Sequence, residues 1–225
     1  MISDSRSSVL ARLLIDLDVV KVSSDQPFFY TSGWASPIYL DTQALLSNVN
    51  ARKQVMSLAR GMLSNVIAQQ QISAIVGAES SGVAYAAWMA QAFELPLLFL
   101  RKKPVGWGMK AQIEGQFNEG ERVLLVDDVT TDGKSKVDAC LALRKSGLVM
   151  EHAFVLIHFG IYPYTESMLR DHRLQMNSLI DWPALFEVFR QQNTLSSQKL
   201  ASIEAFTRDP VKWSVQHGGI GQWTS

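Results

Sequence analysis

Val9, Leu10, Leu13, Leu14 and Leu17 recur at helical spacing, which predicts an opening amphipathic helix outside the main sheet. The next segment, "PFFYTSGWASPIYLD", is rich in aromatic and β-branched residues and punctuated by Ser32-Gly33 and Ser36-Pro37, predicting two short strands around a turn. From about Asn50 to Gln69, Val55, Leu58, Ala59, Met62 and Val66 mark a second helix. The pattern then changes. Apolar strands "SAIVG", "PLLFLR", "RVLLVDD" and "HAFVLIHF" are separated by helical "VAYAAWMAQAFE", by a polar, glycine-containing loop at 102–120, and by helical "KSKVDACLALRKSG". Continuous apolar strands with helices between them indicate a mostly parallel sheet covered on both faces, an α/β doubly wound fold. After Tyr162 the signal weakens to short amphipathic helices, "WPALFEVFRQQ" and "SSQKLASIEAFTRD". The chain reads as one domain over 1–225: an N-terminal helix and hood at 1–48, an α/β core at 49–160, and a helical C-terminal extension at 161–225.

Composition narrows the function. The 21 basic residues balance 21 acidic ones, so no overall field favours nucleic acid or an anionic membrane, and an anionic ligand must be held locally. Cys140, the sole cysteine, excludes an intramolecular disulfide and any multi-cysteine metal site, and it fits a reduced cytoplasm. Arg12, Asp16 and Asp18 break the N-terminal apolar pattern, so neither a signal peptide nor a membrane span is expected. His152, His158, His172 and His217 have no metal-ligand spacing, and the six tryptophans are scattered without basic clusters, as packing residues are.

In an open parallel sheet, ligands bind beyond the carboxyl ends of the strands. One strand end stands out: "RVLLVDDVTTDGKSK" runs from an apolar strand through Asp127-Asp128 and a hydroxyl-rich loop into a helix. A short polar loop opening a helix offers backbone N–H groups and the positive end of the helix dipole to a phosphate. Two carboxylates just before it can accept hydrogen bonds from vicinal ribose hydroxyls and help hold Mg²⁺, directly or through water. The plainer alternative is that the acidic pair ends a strand and that Thr131 or Asp132 caps the next helix. A nucleotide-binding P-loop fails, because Asp128 stands where that motif needs a glycine.

"VLLVDDVTTDGKS" resembles the motif of type I phosphoribosyltransferases that binds 5-phosphoribosyl 1-diphosphate (PRPP). Flanking segments narrow the resemblance to orotate phosphoribosyltransferases. "FFYTSGWASPIYLD" is similar to that family's base-binding segment, "IVGAESSGVAYAA" to its pyrophosphate loop, "LFLRKKPVGWGMKAQIEG" to its mobile catalytic loop, and "WSVQHGG" to the tail of a longer bacterial subgroup.

The resemblance implies transfer of ribose 5-phosphate from PRPP to orotate, with Mg²⁺, in a cytoplasmic homodimer whose mobile loop is shared across subunits. It implies that Asp127 and Asp128 grip the ribose hydroxyls and the metal, and that Val129, Thr130, Thr131, Asp132, Gly133, Lys134 and Ser135 cradle the 5-phosphate. Ser80, Ser81, Arg101 and Lys102 would contact pyrophosphate, Arg101, Lys102 and Lys103 would serve catalysis, and Thr31, Ser32, Gly33, Tyr39 and Thr131 would meet the base. For Ser80 and Ser81 the plainer reading is a helix cap, and for Arg101 and Lys102 a solvated face.

The chain also departs from the pattern. Val105 stands where the family places its loop lysine and Trp107 where it places a histidine, with Lys103 and Lys110 flanking the gap; Thr31 replaces a frequent lysine, and Ser80-Ser81 a Tyr-Lys pair. Gly160 and its neighbours occupy the region of the family's base-facing arginine. A phosphoribosyltransferase for another base and a PRPP-binding regulator without catalysis are the competing functions.

Overall fold

A computed structural model describes residues 5–23, 26–104, 112–192 and 194–222. Helix α1 (Ser5–Asp16) is followed by strands β1 (Val20–Val22), β2 (Phe28–Phe29), β3 (Ala35–Ser36) and β4 (Ile38–Leu40), and by helices α2 (Gln43–Ser47) and α3 (Val49–Gln69). Next come β5 (Ala74–Ala78), α4 (Ser81–Phe93), β6 (Leu97–Leu100), β7 (Ile113–Glu114), β8 (Arg122–Thr130), α5 (Lys134–Lys145) and β9 (Val149–His158). The described chain ends with α6 (Thr165–Asp171), β10 (Gln175–Asp181), α7 (Trp182–Gln191), α8 (Ser197–Arg208) and α9 (Pro210–Gln216). Contacts divide it into two compact units, one of residues 48–158 and 164–179, the other of 1–47, 159–163 and 180–225.

The first unit is built on a six-stranded sheet in the order β10-β9-β8-β5-β6-β7. Pairs β9–β8, β8–β5 and β5–β6 are parallel, while β6–β7 is antiparallel. The expected mostly parallel α/β sheet is therefore present. Its central strands are apolar because both faces are covered: Ala74–Val76 and Val123–Val126 are all fully buried. On one face Val137, Cys140 and Leu143 of α5 and Leu169 of α6 pack against Val76, Leu98, Val123 and Leu125. Helix α3 buries Ala51, Val55, Ala59 and Leu63, one residue per turn, and Asn48 caps it by accepting the Ala51 N–H at 3.0 Å.

Chain direction explains where a ligand belongs. From β5 the chain moves through α4 to β6 on one side, then returns past β5 to form β8 on the other. The strand order reverses between β5 and β8, where Gly77 is registered with Val126. A crevice at the carboxyl ends of such a pair is the usual ligand position.

The second unit holds two antiparallel pairs, β1–β4 (Val20 opposite Leu40) and β2–β3 (Phe28 opposite Ser36). Its interior is a chain of rings: Trp34 on Tyr162 at 5.0 Å, Phe159 stacked on Trp182 at 6.1 Å, Trp182 on Phe186 at 5.3 Å, and Phe206 edge-on to Trp213 at 5.7 Å. The Trp182 indole N–H donates to Thr207 Oγ1 at 2.8 Å. Trp34, Trp182 and Trp213 are thus packing residues, as their scatter in the sequence suggested.

Several elements go beyond the sequence pattern. Strands β1, β7 and β10 and the short helices α2, α6 and α9 had no counterpart in it, and the stretch expected to give two short strands gives three, β2, β3 and β4.

Candidate functional site

The carboxyl end of β8 carries Asp127 and Asp128. Asp127 Oδ1 accepts the Asp128 N–H at 2.9 Å, and Oδ2 receives Lys136 Nζ at 2.5 Å. Lys136 lies on the buried stripe of α5 with Cys140 and Leu143, and its side chain is 5% exposed against 15% for Asp127. This buried pair was not expected. Burial raises the Asp127 carboxyl to a pKa of about 6; the Lys136 ammonium pulls it down and the Asp128 charge pushes it up. Asp128 Oδ1 accepts the Val129 N–H at 2.8 Å.

Between Asp127 and Lys136 runs the loop that opens α5. Gly133, with φ of 82°, turns the chain into the helix, and Asp132 Oδ1 accepts the Lys134 N–H at 3.1 Å. Asp132 is 3% exposed, and its carbonyl accepts the Thr165 Oγ1 hydrogen at 2.9 Å, so α6 braces the loop from behind. A side chain at Gly133 would press on the Thr165 methyl at 3.1 Å. The first-turn N–H groups of α5 and its positive dipole end then face the loop as an anion site. Thr131 is partly accessible and Ser135 exposed, whereas Thr130 is 2% exposed and its Oγ1 has no hydrogen-bond partner. Lys134 Nζ pairs with Asp138 Oδ2 at 2.8 Å, one turn along the helix.

The loop after β5 meets β8 closely. A methyl added at Gly82 would fall 2.5 Å from Val126 O and 2.9 Å from Asp127 Oδ1, so only glycine lets α4 start beside the acidic pair. Ser80 is exposed and Ser81 partly so; Ser80 precedes α4 without a side-chain capping bond, which leaves its hydroxyl unused by the helix. At the end of β6, Arg101 Nε donates to Glu114 Oε1 at 2.7 Å, and the Lys102 N–H donates to Glu79 Oε2 at 2.7 Å. Glu79 thus joins the β5 loop to the start of the long loop. Lys102 and Lys103 are exposed, while Val105, Gly106, Trp107, Gly108 and Lys110 lie outside the described residues.

Among the described residues no group of three or more His, Cys, Asp or Glu is arranged to hold a metal ion. No described helix is long and apolar enough to cross a membrane.

In the other unit, Thr31 and Ser32 are exposed at the tip of the β2–β3 hairpin, with Gly33 at φ of 91°. The hairpin closes through Gly33 N–H to Tyr30 O at 2.8 Å and Tyr30 N–H to Trp34 O at 3.0 Å. Tyr39 is 42% exposed, with its ring 6.3 Å from that of Tyr30. The Tyr30 hydroxyl donates to Ile38 O at 2.7 Å, and burial pushes its pKa well above the ordinary phenol range, so it stays protonated.

Lys136 and Thr165 lie beside these residues although the sequence reading gave them no role, while Glu79 and Gly82 fall in the segment it had singled out after β5 without a contact of their own. A lysine on the buried stripe of an amphipathic helix was the available signal for Lys136.

Comparison with known proteins agrees with this geometry. Residues 41–160 match the phosphoribosyl transferase domain family. An orotate phosphoribosyltransferase from Ruegeria sp. is 36% identical over 203 residues, 90% of each chain. Of solved structures, the orotate phosphoribosyltransferase of Aeropyrum pernix superposes with a TM-score of 0.70 at 27% identity, covering 81% of this chain and 98% of that one. The UMP synthase of Leishmania donovani gives a TM-score of 0.73 at 26% identity over 89% of this chain, which spans 42% of that longer protein. The acidic pair and the loop that opens α5, at the β5/β8 reversal, thus sit in a chain that belongs to the orotate phosphoribosyltransferase family.

Proposed function

We propose that this protein transfers ribose 5-phosphate from PRPP to orotate, yielding orotidine 5′-phosphate and pyrophosphate in pyrimidine biosynthesis. The observation that carries the reading is the Asp127–Asp128 pair at the switch point, followed by the α5 anion loop. The base nitrogen forms a bond to C1 of the ribose as the bond from C1 to the pyrophosphate oxygen breaks; pyrophosphate leaves with the electron pair, and the proton that the nitrogen gives up passes to solvent or to the pyrophosphate. Such a step needs positioning and charge stabilisation more than covalent help. Asp128 and Asp127 hold the ribose hydroxyls, the loop from Val129 to Ser135 holds the 5-phosphate, and Ser80, Ser81, Arg101, Lys102 and Lys103 face the pyrophosphate. Thr31, Ser32, Gly33, Tyr39 and Thr131 receive the base.

Mg²⁺ fits this donor set as a partner of PRPP. Asp127 and Asp128 would hold the ion together with PRPP, directly or through its water shell. Bound there, the ion supplies positive charge to the leaving pyrophosphate.

A homodimer sharing the 103–120 loop and a cytoplasmic location complete the reading. The loop's length and glycines support a closing lid, and buried, unpaired Cys140 suits a reducing compartment.

The test is a spectrophotometric assay of orotate consumption with PRPP and Mg²⁺, comparing wild type with an Asp127→Asn, Asp128→Asn double variant. Orotate loss in wild type and none in the variant supports the reading. PRPP binding without turnover of any base overturns it in favour of a regulator, the outcome that Val105 would favour.

A further inference from the structure

We propose that the C-terminal segment from Trp213 to Gly221 is the positioning element of the base subsite, with Ser214 as its central positioning residue. The proposal rests on the reading that the hairpin tip at Thr31–Gly33 receives the base, and every contact it uses lies within one compact unit.

Ser214 is fully buried within α9. Its hydroxyl oxygen accepts the Ala35 N–H at 3.0 Å, and its hydrogen is donated to Ile220 O at 2.7 Å. One side chain thereby ties strand β3 to the returning tail. The tail makes a second tie, because the Ile220 N–H donates to Gly33 O at 3.1 Å. The two ties grip the hairpin on either side of Trp34, immediately behind exposed Thr31 and Ser32.

The return of the tail is built in detail. The Gly219 N–H donates to Ser214 O at 2.8 Å. A methyl group at Gly219 would lie 2.4 Å from Ser214 Oγ and 2.5 Å from Ala35 N, so no other residue allows this approach. His217 stacks on Trp213 with ring centroids 3.6 Å apart and places Nδ1 2.7 Å from Trp213 O. Ile220 covers Gly33, 3.0 Å from where a β-carbon would stand.

The physical need is clear from the hairpin itself. Strands of two residues have little stability of their own. A tip that must be ordered when the base arrives spends binding energy on that ordering, and a tip ordered beforehand does not. Loosening the tail therefore weakens capture of the base selectively, leaving the PRPP site unaffected.

Steady-state kinetics of the full chain, with the KM for orotate and for PRPP measured separately beside thermal melts, tests this with Ser214→Ala and Ile220→Pro. Each removes one tie, and Ile220→Pro does so near the chain end, where folding is least at risk. The expected result is a rise of about tenfold in the orotate KM, the scale of one lost buried hydrogen bond, with the PRPP KM unchanged. An unchanged orotate KM in both folded variants, or parallel rises in both KM values, overturns the proposal. Gly33→Ala separates the two readings. If it alone raises the orotate KM, the hairpin tip serves the base and the tail does not position it; if it has no effect, the base assignment falls and the tail proposal with it.

Discussion

Lys136 Nζ lies 2.5 Å from Asp127 Oδ2, and the pair fastens together the two ends of the loop proposed to hold the 5-phosphate of PRPP. Removing one partner strands the other charge in the interior. Lys136→Met is expected to cost about 3–5 kcal/mol, or roughly 6–20 °C in melting temperature for a chain of this size. The neutral pair Asp127→Asn, Lys136→Met should recover most of that stability. Neither variant should regain PRPP binding, because both lose the clasp. Melting curves beside the PRPP KM check this; a double variant with wild-type PRPP KM would show that the pair only supports the fold.

The same carboxylate gives the protein a pH signature. Its pKa of about 6 in the folded chain lies above the value of about 3.9 of an unfolded aspartate, so its contribution to stability is fully present below about pH 4 and is lost as pH rises through 6. The loss amounts to about 3 kcal/mol. The charged groups facing it are Lys136 of α5 and its neighbour Asp128, while α4 contributes the Gly82 backbone. Urea midpoints from pH 4 to pH 7 should fall more steeply for wild type than for Asp127→Asn. In activity the direction is opposite, since the ionised form grips the ribose: kcat/KM for PRPP should decline below pH 6.

Gly82 sets the distance between the loop after β5, proposed to face pyrophosphate, and the acidic pair. Gly82→Ala places a methyl 2.5 Å from Val126 O and forces α4 away from β8. Overpacking of this kind costs about 1–3 kcal/mol. The expected result is a lowered melting temperature together with at least a tenfold drop in kcat/KM for PRPP. A variant that melts early but keeps its kinetics would uncouple the two loops.

Val105 cannot neutralise a departing pyrophosphate, so in the proposed reading a neighbouring lysine of the loop adds to the charge of Arg101, Lys102 and the ion. Lys103 is exposed just after β6. Lys103→Ala should slow the chemical step about tenfold or more in single-turnover experiments, an effect of the size expected when one preorganised charge is removed. If Lys103→Ala and Lys110→Ala both react at the wild-type rate, neither lysine replaces the missing one.

The core was legible from sequence because its strands are buried on both faces, so Ala74–Val76 and Val123–Val126 appear as unbroken apolar runs. Strand β10 sits at the sheet edge, and its Gln175, Asn177 and Ser178 interrupt any such run. Helix α6 has seven residues, too few to display a period. The turn from β8 into α5 was legible because the acidic pair, the hydroxyl-rich loop and the helix start are contiguous in sequence. Lys136 drew no reading of its own, since a charge on a buried stripe gains a meaning once Asp127 is known to face it. The contact between Ser214 and Ala35 is out of reach of local pattern reading, because nothing near either residue announces the other.

That contact also has a consequence for the order in which the protein can be assembled. Residues 48–158 of the core unit are one continuous stretch, ready to collapse once they have left the ribosome. The hairpin emerges earlier, yet Ser214 follows Ala35 by 179 residues, which at ~5–20 residues per second is a delay of roughly 10–35 s. Throughout that interval the nascent chain carries a sheet able to form and a hairpin that still lacks its fastening. A ribosome that stops short of Ser214 leaves a product that has the whole core unit yet lacks the ties from Ser214 and Ile220 to the hairpin.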